Sequence, residues 1–191
     1  MRTTTIDLAD EVDKIRDEKI KEIEKAQENL IKEFEEEYGS YSDVPSEEEG
    51  AFNRLEEERQ ELLGTAKALE NAIEEWGGGE FVISELDTGS IARIQDRVSE
   101  KSFQFDPEQG QLKEGTPKQG FGMVETMRMA IQKQPEGAPI KRDNKGNPQI
   151  APGQYPHQVG LYLFEKINNY NTVGDVDLGN SSLRERMESS S

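Results

Sequence analysis

Cysteine is absent from this chain of 191 residues, and histidine occurs once. The absence of cysteine excludes disulfides, zinc–thiolate sites and a cysteine nucleophile. No apolar run approaches the roughly 20 residues that a membrane-spanning helix needs. The opening stretch, MRTTTIDLADEVDK, lacks the apolar segment of a signal peptide. These absences favour a soluble protein that works inside a cell without contacting a membrane.

Apolar residues are also scarce, because only 32% of the chain is hydrophobic while 33% is charged. The net charge of -17 is unevenly placed. Residues 1–76 hold 24 acidic and 10 basic side chains, a net of -14, whereas residues 77–191 hold 16 and 13, a net of -3. Because such acidity repels phosphate, we expect no nucleic-acid binding through the N-terminal part. A solvated helix face, a basic protein partner or a high-salt cytoplasm would suit it.

The strongest pattern lies in residues 46–76, where eight positions recur at alternating steps of three and four, and all except Arg59 are apolar. The positions are Phe52, Leu55, Arg59, Leu62, Ala66, Leu69, Ile73 and Trp76. This is the seam of a heptad helix, which needs a partner helix. We predict a protein-interaction surface at Phe52, Leu55, Leu62, Leu69, Ile73 and Trp76. Either another helix of the same chain covers the seam, or an oligomer or target protein does.

A first helix is predicted from Asp7, its N-cap, to Tyr38, since no glycine or proline interrupts this stretch. Its apolar stripe has one step of eight residues, which we expect Lys19 to fill with its aliphatic stem. Ser46 and Glu49 form a capping box that starts the second helix. Two helices of similar length joined by a short loop predict an antiparallel coiled-coil hairpin.

Three glycines at 77–79 predict a hinge or a domain boundary. Beyond them we predict short strands at 80–86 and 102–105, and helices at 90–101, 119–134 and 156–171. A long loop is predicted at 135–156, which holds five of the eight prolines. The expected fold is mainly α, with the coiled-coil hairpin (1–76), a small helical domain carrying a two-stranded β-ribbon (77–171) and a flexible tail (172–191).

Signals for catalysis or for metal binding are weak. The only histidine, His157, has no plausible catalytic neighbour in sequence. A calcium-loop-like start at Asp175 fails, because Arg186 occupies the twelfth position, where a bidentate glutamate belongs. The glycines at 77–79 precede a strand, whereas phosphate-binding loops follow one. We therefore predict a protein that is not an enzyme and uses no cofactor or metal.

One small basic patch consists of Lys141, Arg142 and Lys145 in the proline-rich stretch. Such a cluster occurs at random on many surfaces, and it also suits an acidic partner, including the acidic hairpin of this protein.

The C-terminal 110 or so residues resemble tail assembly chaperone-type proteins of tailed viruses, especially those that infect salt-loving archaea. The resemblance rests on EFVISELDTGSIARIQDRV (80–98), GTPKQGFGMVETMRMAI (115–131), YPHQVGLYLFEKINNYN (155–171) and GNSSL (179–183). It implies a small helical adaptor that acts without catalysis during assembly. Its partners would be a tape-measure protein or other tail components, in the cytoplasm of a host cell or in the virion.

Three alternatives remain open at the level of sequence. The protein could be a structural component of the virion, which the same layout suits. It could be a cellular coiled-coil adaptor with no viral link. A small enzyme or regulator with a site around Tyr155 to Tyr170 is the third reading.

Overall fold

A computed structural model describes residues 2–40, 44, 49–106, 111–114 and 120–172. These residues are mainly helical, which confirms the prediction that the fold is mainly α. The helices are α1 (Leu8–Lys14), α2 (Lys21–Tyr38), α3 (Gly50–Trp76), α4 (Thr88–Ser102), α5 (Phe121–Ala130) and α6 (His157–Thr172). The strands are β1 (Thr3–Asp7), β2 (Glu80–Ser84), β3 (Phe103–Asp106), β4 (Gln111–Glu114), β5 (Ile131–Lys133), β6 (Ile140–Arg142) and β7 (Pro148–Ile150).

The chain forms two compact units. One is Ile6–Gly79, and the other combines Met1–Thr5 with Glu80–Ser191. The sequence placed the first five residues with the helices, whereas the structure groups them with the second unit, since β1 joins a sheet there. The predicted cap Ser46, the calcium-loop-like stretch and the tail beyond 172 lie outside the described residues.

The first arm of the helical unit runs through α1, a π-helical turn at Ile15–Ile20 and α2. As predicted, Asp7 caps α1, and its carboxylate accepts a hydrogen bond from the Ala9 backbone at 3.0 Å. The expectation for Lys19 was wrong, because Lys19 is exposed and Ile20 is buried in its place. The π-helical turn is the physical reason, since its wider turn moves the inward position from i+4 to i+5.

The second arm is α3, and it runs antiparallel to the first. Across the two arms, Gln27 contacts Glu56, Glu24 contacts Arg59 and Arg16 contacts Glu70, so earlier residues meet later ones. We call α1, the π-helical turn, α2 and α3 together the helical hairpin. Its buried apolar residues are Leu8, Val12, Ile15, Ile20, Ile23, Phe34, Ala66, Leu69, Ala72 and Trp76.

The glycines at 77–79 are more constrained than a hinge requires. Gly77 ends α3 in the left-handed conformation, with φ of 68°, and Gly78 donates its N–H to the Ile73 carbonyl. Gly79 accepts a hydrogen bond from Leu8 N at 3.1 Å. A Cβ at Gly79 would lie 3.0 Å from the Leu8 Cβ and 3.2 Å from the Ile73 Cγ1. Gly79 is therefore required for close packing against Leu8.

We expect Gly79→Ala to lower the free energy of unfolding by about 1–3 kcal/mol, because the added methyl group meets atoms that cannot easily move. The matched control is Gly78→Ala, since a Cβ at Gly78 would meet nothing within 4 Å. That substitution should leave stability within about 0.5 kcal/mol or raise it slightly by restricting the unfolded chain. Chemical denaturation followed by circular dichroism measures both, and equal effects would contradict the packing role of Gly79.

In the second unit, β2 is the central strand of a sheet in the order β1-β2-β5. The antiparallel pairing of β2 with β5 aligns Ile83 with Ile131, and both are buried. The predicted helix at 119–134 was therefore too long, because α5 ends at Ala130 and the chain becomes extended at Ile131. Pairing with β2 outweighs the local helical pattern there.

Two further antiparallel hairpins, β3–β4 and β6–β7, lie in the second unit. The sequence predicted β3 but assigned 135–156 to a loop. The structure instead places β6, β7 and a 3-10 turn at Pro152–Gln154 in this stretch. Strands of three residues are too short to show an alternating pattern in the sequence. Among the described residues, no helix has both the length and the apolar character needed to cross a membrane.

Candidate functional site

The six predicted interaction residues all lie on α3, and their burial changes along the helix. Toward its C-terminal end, Leu69 and Trp76 are buried and Ile73 is half-buried. Toward its N-terminal end, Phe52, Leu55 and Leu62 are only half-buried. The helical hairpin therefore buries the seam best toward the C-terminal end of α3, which we call the base of the hairpin, and less well toward the N-terminal end.

A polar layer crosses the helical hairpin where the seam contains Arg59. The Arg59 guanidinium lies 3.3 Å from the Glu24 carboxylate of the first arm and 3.5 Å from Glu56 of its own helix. The buried Gln27 donates its amide to Glu56 at 3.1 Å, and Gln60 donates to Glu56 at 2.7 Å. Polar groups at seam positions satisfy each other only in one alignment, so this layer fixes the register of the two arms.

The carboxylate of Glu56 is the hub of this layer. Hydrogen bonds from the amides of Gln60 and Gln27, with a further contribution from the nearby Arg59, lower the pKa of Glu56 below the usual glutamate value. A carboxyl group whose pKa is lowered by folding stabilises the folded state above its unfolded pKa. That contribution is lost as the pH falls through the folded pKa.

We expect Glu56→Gln to destabilise the helical hairpin at neutral pH. The difference in melting temperature from the wild type should shrink as the pH falls below about 4.3, because the wild-type carboxylate is then protonated as well. The matched control is Glu57→Gln, which removes an exposed carboxylate without a hydrogen bond among the described residues. Thermal melts across this pH range test the prediction, and a difference that does not depend on pH would refute it.

The distal half of the helical hairpin, defined as residues 24–38 and 50–63, is strongly acidic. It exposes eight carboxylates that form no ion pair or hydrogen bond within the described part of the chain. They are Glu28, Glu33, Glu35, Glu36, Glu37, Glu57, Glu58 and Glu61. Three exposed cations, Lys25, Lys32 and Arg54, oppose them. The half-buried seam residues of the distal half therefore lie within a negative electrostatic field.

In the second unit, α5, the 3-10 turn and the start of α6 enclose an open groove of about 470 Å³. The lining is mostly apolar and consists of Gly120, Phe121, Met123, Val124, Pro152, Gly153, Tyr155, His157 and Gly160. The groove overlaps the start of the stretch from Tyr155 to Tyr170 that the sequence offered as an alternative site. His157 is its only imidazole, and it is exposed.

Tyr155 is the most constrained polar side chain of the groove. Its hydroxyl donates to the Gln134 side-chain oxygen at 2.5 Å, and its ring meets Phe81 edge to face, with 6.1 Å between centroids. Burial raises the pKa of Tyr155 well above its usual range, so the phenol remains protonated. The side chain acts as a packed anchor that holds the groove wall.

A buried carboxylate that the sequence did not single out lies on α5. Glu125 is paired with Arg97 at 2.6 Å and with Arg128 at 3.2 Å, which ties α4 to α5. The i, i+3 spacing of Glu125 and Arg128 was visible in the sequence, but the contact with Arg97 depends on how the helices pack. Two guanidinium groups compensate this buried charge, so the cluster has a structural explanation.

Within the described residues, no group of three or more histidine, aspartate or glutamate side chains is placed to hold a metal ion. Comparison of the chain with protein-family models, with curated proteins and with solved structures found no match.

Proposed function

We propose that this chain is a non-enzymatic protein-interaction protein whose helical hairpin is the binding element. The observation that carries the proposal is the seam of the distal half, where Leu55 and Leu62 are only half-buried. A third apolar helix or another protein surface would complete their burial. Each leucine transferred fully from water contributes about 1.5–3 kcal/mol.

The finer form of this proposal is that the two arms make an antiparallel coiled coil. Three observations support it: the heptad spacing of α3, the antiparallel order of the cross-arm contacts and the polar layer at Arg59. The fully buried base would then anchor the hairpin, while the distal half would present the binding surface.

As the biological setting we propose assembly of a tailed virus. The C-terminal resemblance supports a tail assembly chaperone or a structural component of the tail or virion. Tape-measure or other tail proteins would be its partners, in the host cytoplasm or in the virion. In this role the seam shields apolar helical segments of a partner, and the acidic surface keeps the complex in solution.

The alternative is a cellular coiled-coil adaptor unrelated to viruses, which the helical hairpin suits equally well. Genome context separates the two settings without an assay of the protein. A tape-measure gene directly downstream would support the viral role, whereas a metabolic operon at this position would overturn it.

A tagged chain expressed in its native source and cross-linked before purification tests the proposed interaction. We expect the wild type to retain a defined partner, and Leu55→Ser with Leu62→Ser to lose most of it, because both changes weaken the distal apolar surface. Glu57→Ser with Glu61→Ser, on the exposed side of the same helix, is the matched control. Circular dichroism must show that both variants keep their helices.

Loss of the partner in the leucine variant alone supports the seam as the binding surface. Equal retention of the partner by the leucine variant and the wild type would refute that role. A wild-type chain that retains nothing above a tag-only control would refute the interaction function as a whole.

A further inference from the structure

The most exposed large apolar side chain in the described part of the chain is Ile140, at 51% exposure, and it lies on a basic β-hairpin. The basic hairpin consists of β6, β7 and their turn, residues 140–150, and it exposes Lys141, Arg142 and Lys145. None of these three cations forms an ion pair within the described residues. An exposed isoleucine on a hairpin with three exposed cations, of which Arg142 shares its face of the strand, is a surface suited to an apolar and acidic partner.

The turn of the basic hairpin is locally well held. Asp143 accepts hydrogen bonds from the backbone N–H groups of Lys145 and Asn147, each at 2.8 Å. Arg142 donates to the Gly146 carbonyl at 2.8 Å, and Gly146 takes the left-handed conformation that the turn requires. Because these bonds fix the backbone, a partner would meet an ordered surface and would lose little conformational entropy in binding it.

The distal half of the helical hairpin has the complementary properties. Its seam residues Leu55 and Leu62 are half-buried, and the exposed Glu58 is their neighbour on the helix surface, three residues after the first and four before the second. On the first arm, the exposed Glu33 and Glu37 each follow an apolar residue by three. An apolar stripe with neighbouring carboxylates matches an isoleucine on a hairpin with exposed cations in both polarity and charge.

We propose that the basic hairpin of one copy of this chain docks on the distal half of the helical hairpin of a second copy. The contact would bury Ile140 against the seam and would pair Lys141, Arg142 and Lys145 with the distal carboxylates. This proposal rests on the proposed role of the helical hairpin as a binding surface. It identifies a second copy of this chain as the protein that binds there.

The two surfaces are different patches of the same chain, so the contact is heterologous. Each copy that binds through one patch leaves its other patch free for a further copy. Such contacts build rings when the rotation between copies closes and open filaments when it does not. Charge complementarity drives the contact, so we expect self-association that weakens with added salt.

Sedimentation of the full chain over a range of concentrations, at about 0.05 M and about 0.5 M salt, tests the proposal. We expect association at low salt that weakens at high salt. Lys141→Glu, Arg142→Glu and Lys145→Glu together should raise the dissociation constant about tenfold or more, since three attractive pairs become repulsive. A wild type that remains monomeric at low salt would overturn the proposal.

The matched control is Lys25→Glu, Lys32→Glu and Arg54→Glu, which changes the net charge equally but on the acidic partner surface. Because this change increases complementarity, the control should associate at least as tightly as the wild type. Equal loss of association in both variants would mean that general charge repulsion is responsible, and would overturn the proposal. Circular dichroism verifies that all variants are folded.

A charge exchange gives the sharpest readout. Glu33→Lys, Glu37→Lys and Glu58→Lys together should also fail to self-associate, because the carboxylates that neighbour the apolar seam are then replaced by cations. Mixed with the variant whose basic hairpin carries glutamates, it should restore association, since each surface again meets its opposite. A mixture that stays monomeric would overturn the contact, whereas the capture of another protein through Leu55 and Leu62 would still stand.

Discussion

Leu69→Asp is expected to unfold the helical hairpin under conditions in which the wild type is stable. Leu69 is fully buried, at 0% exposure, in the base of the hairpin. The substitution removes a packed leucine and places an unpaired carboxylate among apolar side chains, at a cost of about 4 kcal/mol. A loss of this size is a large part of the stability of an ordinary domain.

The fluorescence of Trp76 reports the unfolding, because Trp76 is the only tryptophan of the chain and is buried in the base of the hairpin. Its emission should shift to longer wavelength in the variant at a denaturant concentration that leaves the wild type unchanged. The matched control is Leu161→Asp, since Leu161 is 45% exposed and its replacement should cost less than about 1 kcal/mol. Leu62→Asp, at a half-buried seam position, should fall between the two. A Leu69 variant as stable as the Leu161 variant would refute the seam.

Phe81→Ala is expected to cost the second unit about 3–5 kcal/mol. Phe81 lies on β2 at 0% exposure, and its ring packs edge to face against Tyr155. Truncation leaves a cavity under the central strand and removes the ring that holds Tyr155 in place. Urea denaturation followed by circular dichroism measures the loss.

Phe81→Leu is the control for this prediction, because it keeps most of the apolar volume and should cost less than half as much. The alanine variant should also change the environment of Tyr155, which nuclear magnetic resonance of a ring-labelled sample would detect. Equal stability of the alanine and leucine variants would show that the aromatic contact does not contribute.

Helix positions and ends were readable from the sequence where a local chemical signal marks them. Asp7 caps α1 because its short carboxylate reaches the first free backbone N–H groups. Gly39 and Gly77 end α2 and α3 because glycine adopts positive φ without a steric penalty. These devices act over a few residues, so they do not depend on the rest of the fold.

The inward face of α3 was likewise predicted from spacing, and so was the apolar stripe of the first arm, apart from its one step of eight residues. The sequence did not reveal the π-helical turn, which places Ile20 instead of Lys19 at the inward position. Such a turn forms when packing of the following residues outweighs the lost regularity of the helix. No single side chain in the sequence marks it.

The sequence by itself determined a mainly helical fold, an acidic N-terminal part, and the residues of α3 that face inward. Only the tertiary structure decided which part of that seam is fully buried, and it decided that Ile131 leaves a helical pattern to pair with β2. It also decided that residues 140–150 form an ordered basic hairpin. Periodicity records which way side chains point along one element, but burial and strand pairing depend on elements that are distant in sequence.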